Sequence, residues 1–226
     1  MSELLHFAEH RLQEIALVFM GVMYTARLVW LFRRFKAGRE RQPATGQGTS
    51  REKGAAFSLA IIAMPWAMES TRTQWLLYLQ FVLFHLGVTA AIALSFLIPY
   101  LPAALESALV VRVLEAAIGA GFIVACIRIG RRCGSKYMRA ISSPDDYFSL
   151  LLLTAWFGFA FFAAPNRPEQ GETALLTYFM LTAFFLVYVP FSKISHYLYY
   201  PITRYYFGKS MGHRGVFPLR HGPETN

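Results

Sequence analysis

Between Trp75 and Ile98 the chain contains no Asp, Glu, Lys or Arg. A run of about 20 apolar residues wound as a helix matches the thickness of a bilayer's hydrocarbon core. Three more stretches qualify on the same ground: Ile15–Phe32, Asp146–Ala164 and Thr173–Tyr200. A fifth, Leu105–Ile129, qualifies in spite of Arg112 and Glu115. Charged residues make up only 15% of the chain, where a soluble domain carries nearer 25%. The deficit lies in these stretches. The expected fold is therefore an all-α integral membrane protein, a bundle of five transmembrane helices.

Charge placement decides between five and six spans. Ala55–Met68 is apolar but short and contains Pro65, which suits an interfacial helix better than a crossing. With five spans, eight Lys and Arg fall in the first inner loop: Arg33, Arg34, Lys36, Arg39, Arg41, Arg51, Lys53 and Arg72. Arg128, Arg131, Arg132, Lys136 and Arg139 mark the second, and Lys193, Arg204, Lys209, Arg214 and Arg220 the third. Only Arg11 and Arg167 would lie outside, with Arg27 and Arg112 inside helices. That is a strong positive-inside bias, and a sixth span would reverse it for the 131–139 cluster. The expected layout has the N-terminus outside and the C-terminus in the cytoplasm. Residues 1–14 form a periplasmic segment and 15–200 the membrane domain. Within that domain a cytoplasmic loop, 33–73, holds the interfacial helix near 55–68, and a cytoplasmic tail runs from 201 to 226. A net charge of +9 distributed in this way is a topology signal and not a nucleic-acid footprint. The opening MSELLHFAEHRLQE has no basic region or small-residue cleavage site, so it does not read as a removable signal. Cys126 and Cys133 form no CxxC or CxxCH pattern, which gives no support to a structural disulfide, an iron–sulfur site or covalent haem. The chain shows neither an internal repeat nor the paired broken helices of many transporters.

Of six histidines, His6, His10, His213 and His221 fall in polar segments and read as solvated. His85 sits in the uncharged second span, and His196 near the end of the fifth. A polar ring at membrane depth is costly unless it is paired or lines a functional cavity. Two readings stand open. Each ring hydrogen-bonds a carbonyl or hydroxyl of a neighbouring helix, or the two are the axial ligands of a six-coordinate b-type haem, one from each of two facing helices.

PFSKISHYLYYPITRYYFG around His196 and LFHLGV around His85 resemble the haem-binding helices of the nitrate reductase gamma subunit family. Arg131, Arg132, Ser135, Arg139, Asp145 and Asp146 resemble that family's basic loop between its third and fourth helices. The resemblance covers about 150 of the residues, and its five-span, N-outside topology agrees. It implies a membrane cytochrome b subunit of a respiratory oxidoreductase complex, without complete activity alone. Two-haem members carry a second ligand pair at the positions that are Ser95 and Tyr178 here, so the resemblance implies one haem b, on His85 and His196. Single-haem relatives occur in the transmembrane redox complexes of sulfate reducers. The implied setting is the bacterial inner membrane and anaerobic respiration. The implied partners are a cytoplasmic iron–sulfur protein, a periplasmic multihaem cytochrome c side, other membrane subunits and menaquinone.

Within that frame Arg128, Arg131, Arg139 and Lys193 are candidates to hold haem propionates through charge-assisted hydrogen bonds, though the same cations also serve topology and lipid phosphates. Arg112 and Glu115, three residues apart, can pair on one helix face, and they are the candidate quinone site. One tension is visible. His85 lies about 17 Å from the start of its helix at Gln74, whereas His196 lies only about 6 Å from Tyr200, yet two axial ligands share one depth. The rival reading is a non-redox structural subunit or small transporter.

Overall fold

The computed structural model describes residues 2–34 and 50–218. It is 89% helical with no strand among those residues. Five helices are long and apolar enough to cross a membrane: Glu3–Arg34 (α1), Trp75–Tyr100 (α4), Ala108–Gly134 (α5), Pro144–Ala163 (α7) and Thr173–Phe191, whose α-helical part is Thr173–Tyr188 (α8). The short helices are Arg51–Ala60 (α2), Glu69–Thr73 (α3) and Lys136–Ala140 (α6), and a longer one, His196–His213 (α9), follows α8. The chain is a multi-pass membrane protein of all-α class. It divides into two compact units, Met1–Trp30 with Leu79–Ile194, and Leu31–Tyr78 with Ser195–Asn226.

In the first unit α5 packs on α7, α7 on α8, and the start of α1 on α8. α1 begins a dozen residues earlier than the expected span. The Ser2 side chain caps it by accepting from the Leu5 N–H at 3.2 Å, and Leu5, Ala8, Gln13 and Ala16 form a buried stripe beneath the polar residues of the segment. A π-helical turn at Ala8–Leu12 adds a residue to one turn. Arg27, inside an otherwise apolar span, places its guanidinium 5.4 Å from the ring of Phe191. Where α4 crosses α5, Gly87 meets Gly121 so closely that a Cβ on Gly87 would lie 2.8 Å from the Gly121 Cα. Trp156, Phe157, Tyr178, Phe179 and Phe185 fill the space between α7 and α8, each under 10% exposed.

The expected fifth span, Thr173–Tyr200, is broken. α8 ends at Tyr188, a 3₁₀ turn covers Val189–Phe191, and Ser192 is extended with ψ 171°. Pro190 has no N–H to continue the helical ladder. The Ser192 hydroxyl donates to the Val189 carbonyl at 3.2 Å and accepts from the Ile194 N–H at 3.2 Å, a local alternative to the helix. His196 therefore opens a new helix, and counting its depth back from Tyr200 along one span does not apply. The stretch from 201, read as a tail, is the body of α9 as far as His213.

In the second unit α9 lies along α2. α2 starts at Arg51, before the expected interfacial helix, because the Ser50 hydroxyl accepts from the Lys53 N–H at 3.2 Å. The helix gives way to 3₁₀ turns at Ile61–Ala63 and Pro65–Ala67, broken at Met64. Lys36, Arg39 and Arg41 of the expected inner loop, and Arg220 and His221 of the tail, lie outside the described residues.

Candidate functional site

His85 is half-buried on α4, and its Nδ1 lies 2.7 Å from the carbonyl oxygen of Phe81 one turn earlier. A carbonyl only accepts, so this contact places the ring proton on Nδ1 and leaves the lone pair on Nε2. An N–H···O=C bond of this kind fixes the tautomer and raises the basicity of the opposite nitrogen. The ring of Phe81 lies 4.2 Å and that of Phe84 5.8 Å from the imidazole, centroid to centroid. Among the described residues nothing bonds Nε2. The donor chemistry at His85 is that of an axial ligand. It equally satisfies one nitrogen of a structural histidine.

The close α4–α5 crossing at Gly87 and Gly121 brings Arg128 to the same neighbourhood, its guanidinium 4.4 Å from the Phe84 ring centroid. Phe84 is buried and also packs edge-to-face on Phe157 at 5.5 Å. Of the four cations expected to hold propionates, two have their donors uncommitted. Arg128 makes only the ring contact and Arg131 is exposed with no partner among the described residues. Arg139 donates to the Cys133 carbonyl. The Lys193 ammonium donates to the Ser143 hydroxyl at 2.8 Å and to Asp146 at 3.0 Å.

Asp146 was not foreseen as a node. Its Oδ2 accepts from the Ser143 N–H and hydroxyl, both at 2.8 Å, and stands 3.8 Å from Arg132. The signal was in the sequence, as Ser143 with Asp146 three residues later and Pro144 at the first helical position. Removing that carboxylate in Asp146→Ala is expected to lower stability by about 1–2 kcal/mol through the lost cap. Lys193→Met is expected to cost under about 1 kcal/mol, because the ammonium side of the pair is largely exposed. Thermal unfolding of both variants in one detergent checks the order, and a larger loss for Lys193→Met would refute it.

His196 is the first residue of α9, exposed, and belongs to the second unit, whereas His85 belongs to the first. Ser95 and Tyr178, at the positions of the second ligand pair, are both buried and bonded to carbonyls. Ser95 donates to Ile92 at 2.8 Å and Tyr178 to Ala91 at 2.6 Å. Arg112 and Glu115 do not form the expected ion pair. Both line a cavity of about 710 Å³ with Leu105, Glu106, Asn166 and Arg167, at the other end of α5 from Arg128. Cys126 and Cys133 are exposed free thiols. Among the described residues no three His, Cys, Asp or Glu side chains gather as a metal site.

No protein-family model, no curated protein and no solved structure matches the chain.

Proposed function

We propose that the chain is the membrane cytochrome b subunit of an electron-transfer complex, holding one haem b between His85 and His196. The observation that carries this reading is the His85 ring, held by the Phe81 carbonyl with its Nε2 lone pair presented from an apolar helix. The bound haem would supply one-electron redox chemistry at iron. The chain's part is to bind and tune it. The Nδ1–H bond makes Nε2 a stronger donor, Phe81 and Phe84 keep water from the ligand, and Arg128 and Arg131 offer free donors to the propionates. Arg139 and Lys193 support the inner loops through the bonds they already make. On the positive-inside pattern, this arginine-bearing end faces the cytoplasm of a bacterial inner membrane. An iron–sulfur subunit would dock there and a periplasmic cytochrome side would complete the path.

A quinone headgroup is the second reading, for the cavity lined by Arg112 and Glu115. Its volume and its polar side chains inside an apolar helix favour a ligand there. Quinol-driven reduction of the haem, slowed in Arg112→Gln, is its test.

The purified chain is expected to show a b-type reduced-minus-oxidised spectrum at one haem per protein. His85→Ala is expected to lose it, and His196→Ala to lose it or convert it to a five-coordinate spectrum. A colourless protein overturns the cytochrome in favour of a structural subunit or transporter. Two haems per chain overturn the single pair, and an unchanged spectrum in His196→Ala removes that ligand.

A further inference from the structure

We propose that the groove between α2 and α9 holds the headgroup phosphate of an anionic phospholipid and the first carbons of its chains. The two helices run antiparallel. The Ser50 N–H donates to the Gly212 carbonyl at one end, and the Arg204 Nε–H to the Ser58 carbonyl towards the other. Between these bonds Gly54 meets Gly208 and Gly212 backbone to backbone. Beside that crossing lies a groove of about 270 Å³, lined on α2 by Arg51, Ala55, Ala56 and Leu59 and on α9 by Tyr205 and Lys209.

The groove is polar at one end and apolar at the other. Arg51, next to Ser50, and Lys209, within a turn of Gly212, bring two cations to the first end. Leu59, next to Ser58, gives the second end an apolar wall that is 41% exposed. Neither cation meets an acid among the described residues. Arg51 makes no hydrogen bond or ion pair there, and the Lys209 ammonium lies 5.8 Å from the centre of the Tyr205 ring. The third charged group on the groove is Glu52, which accepts from the Ser50 hydroxyl at 3.4 Å. Two cations and one carboxylate leave a single positive charge, which a phosphodiester monoanion neutralises. Both donors suit charge-assisted bonds to phosphate oxygens, and basic pockets beside membrane spans take lipid headgroups on the same physics.

Size and polarity choose the occupant. One turn of a partner's helix, roughly 10 Å across and 5.4 Å long, fills about 420 Å³, more than the groove holds. A free phosphate would leave the Leu59 end bare. An amphiphile with one negative charge matches both ends. The helices are also tied closely to the bilayer. α9 opens five residues after Phe191, where the fifth apolar helix ends, a stretch of at most about 18 Å. Trp66, 66% exposed between α2 and α4, is a residue type that membrane interfaces collect.

The groove stands or falls apart from the haem reading. Native mass spectrometry of the delipidated full chain, titrated with phosphatidylglycerol or phosphatidylcholine, counts the bound lipids and gives their affinities. One phosphatidylglycerol is expected to bind roughly fivefold tighter than phosphatidylcholine, the preference that one net charge gives. Arg51→Gln/Lys209→Gln is expected to weaken it roughly thirtyfold, as two cations withdrawn from one phosphate. Lys53→Gln/Arg72→Gln removes the same charge from residues that do not line the groove, and should change the affinity by no more than about twofold. Ala56→Trp fills the groove from an exposed position without altering a charge, and is expected to fold and to lose the lipid. Equal weakening in the two double variants reduces the effect to overall charge and overturns the site. So does equal affinity for the two lipids, or an Ala56→Trp chain that binds as the wild type does. Glycerol 1-phosphate bound as tightly as phosphatidylglycerol overturns the lipid as occupant.

Discussion

Gly208→Leu is expected to separate α9 from α2. A Cβ on Gly208 would meet the Ser58 Cβ, stand 2.5 Å from the Gly54 carbonyl oxygen and 2.8 Å from the Ala55 Cα. Gly54 is its counterpart, where a Cβ would lie 2.5 Å from the Gly212 Cα and 2.7 Å from its nitrogen. All of these obstacles but the Ser58 Cβ are backbone, so no rotamer change relieves them. The helices themselves must move apart. With them go the Ser50 N–H bond to the Gly212 carbonyl at 3.2 Å and the Arg204 Nε–H bond to the Ser58 carbonyl at 3.0 Å. Overpacking of a well-filled contact costs about 1–3 kcal/mol when the site can adjust. A branched side chain against two backbone atoms and the Ser58 Cβ belongs at or above the upper end. Hydrogen exchange should then rise together over 51–60 and 196–213. Gly130→Ala is the control, because nothing lies within 4 Å of a Cβ there. It should be neutral or gain about 0.5–1 kcal/mol from helix propensity. Wild-type protection of both helices in Gly208→Leu would show that the crossing is not held by glycine.

The contrast explains which parts of this chain can be read from sequence. The spans are legible because lipid demands long uncharged runs, and Trp75–Tyr100 and Ala108–Gly134 stand within a few residues of the expected Trp75–Ile98 and Leu105–Ile129. Boundaries set by one side chain are less so. Ser2 and Ser50 start helices inside segments that their charges mark as loop, and Pro190 with Ser192 ends one inside a segment whose hydropathy runs on. Because of that last break, hydropathy alone puts His196 on the fifth span although it opens a separate helix, whereas His85, the only histidine in its run, stands out. Arg112 and Glu115 line one cavity with Arg167 and do not pair, which their spacing of three residues alone does not reveal.

Trp156→Ala is expected to be among the most damaging substitutions in the first unit. Its indole is 4% exposed, 5.7 Å from Phe157, 6.2 Å from Tyr178 and 5.4 Å from Phe185 between ring centroids. Its Nε1–H donates to the Thr182 hydroxyl at 2.8 Å, which in turn donates to the Tyr178 carbonyl at 2.8 Å. Either the packing or the hydrogen bond could hold α7 to α8, and magnitudes favour packing. Hydrogen bonds between membrane helices are worth about 0.6 kcal/mol on average. Truncating a buried Trp to Ala costs about 3–5 kcal/mol in water-soluble cores. Part of that is transfer from water, which a lipid-embedded helix does not recover, because acyl chains are as apolar as the interior. The cavity and the lost dispersion contacts remain, so about 2–3 kcal/mol is the expected loss. Trp156→Phe keeps most of the volume and loses the donor, and should cost about 1 kcal/mol. Unfolding of the three proteins in the same detergent series separates the two contributions. Equal losses for Phe and Ala would mean that the Trp156–Thr182–Tyr178 chain of hydrogen bonds, and not the aromatic packing around it, joins these helices.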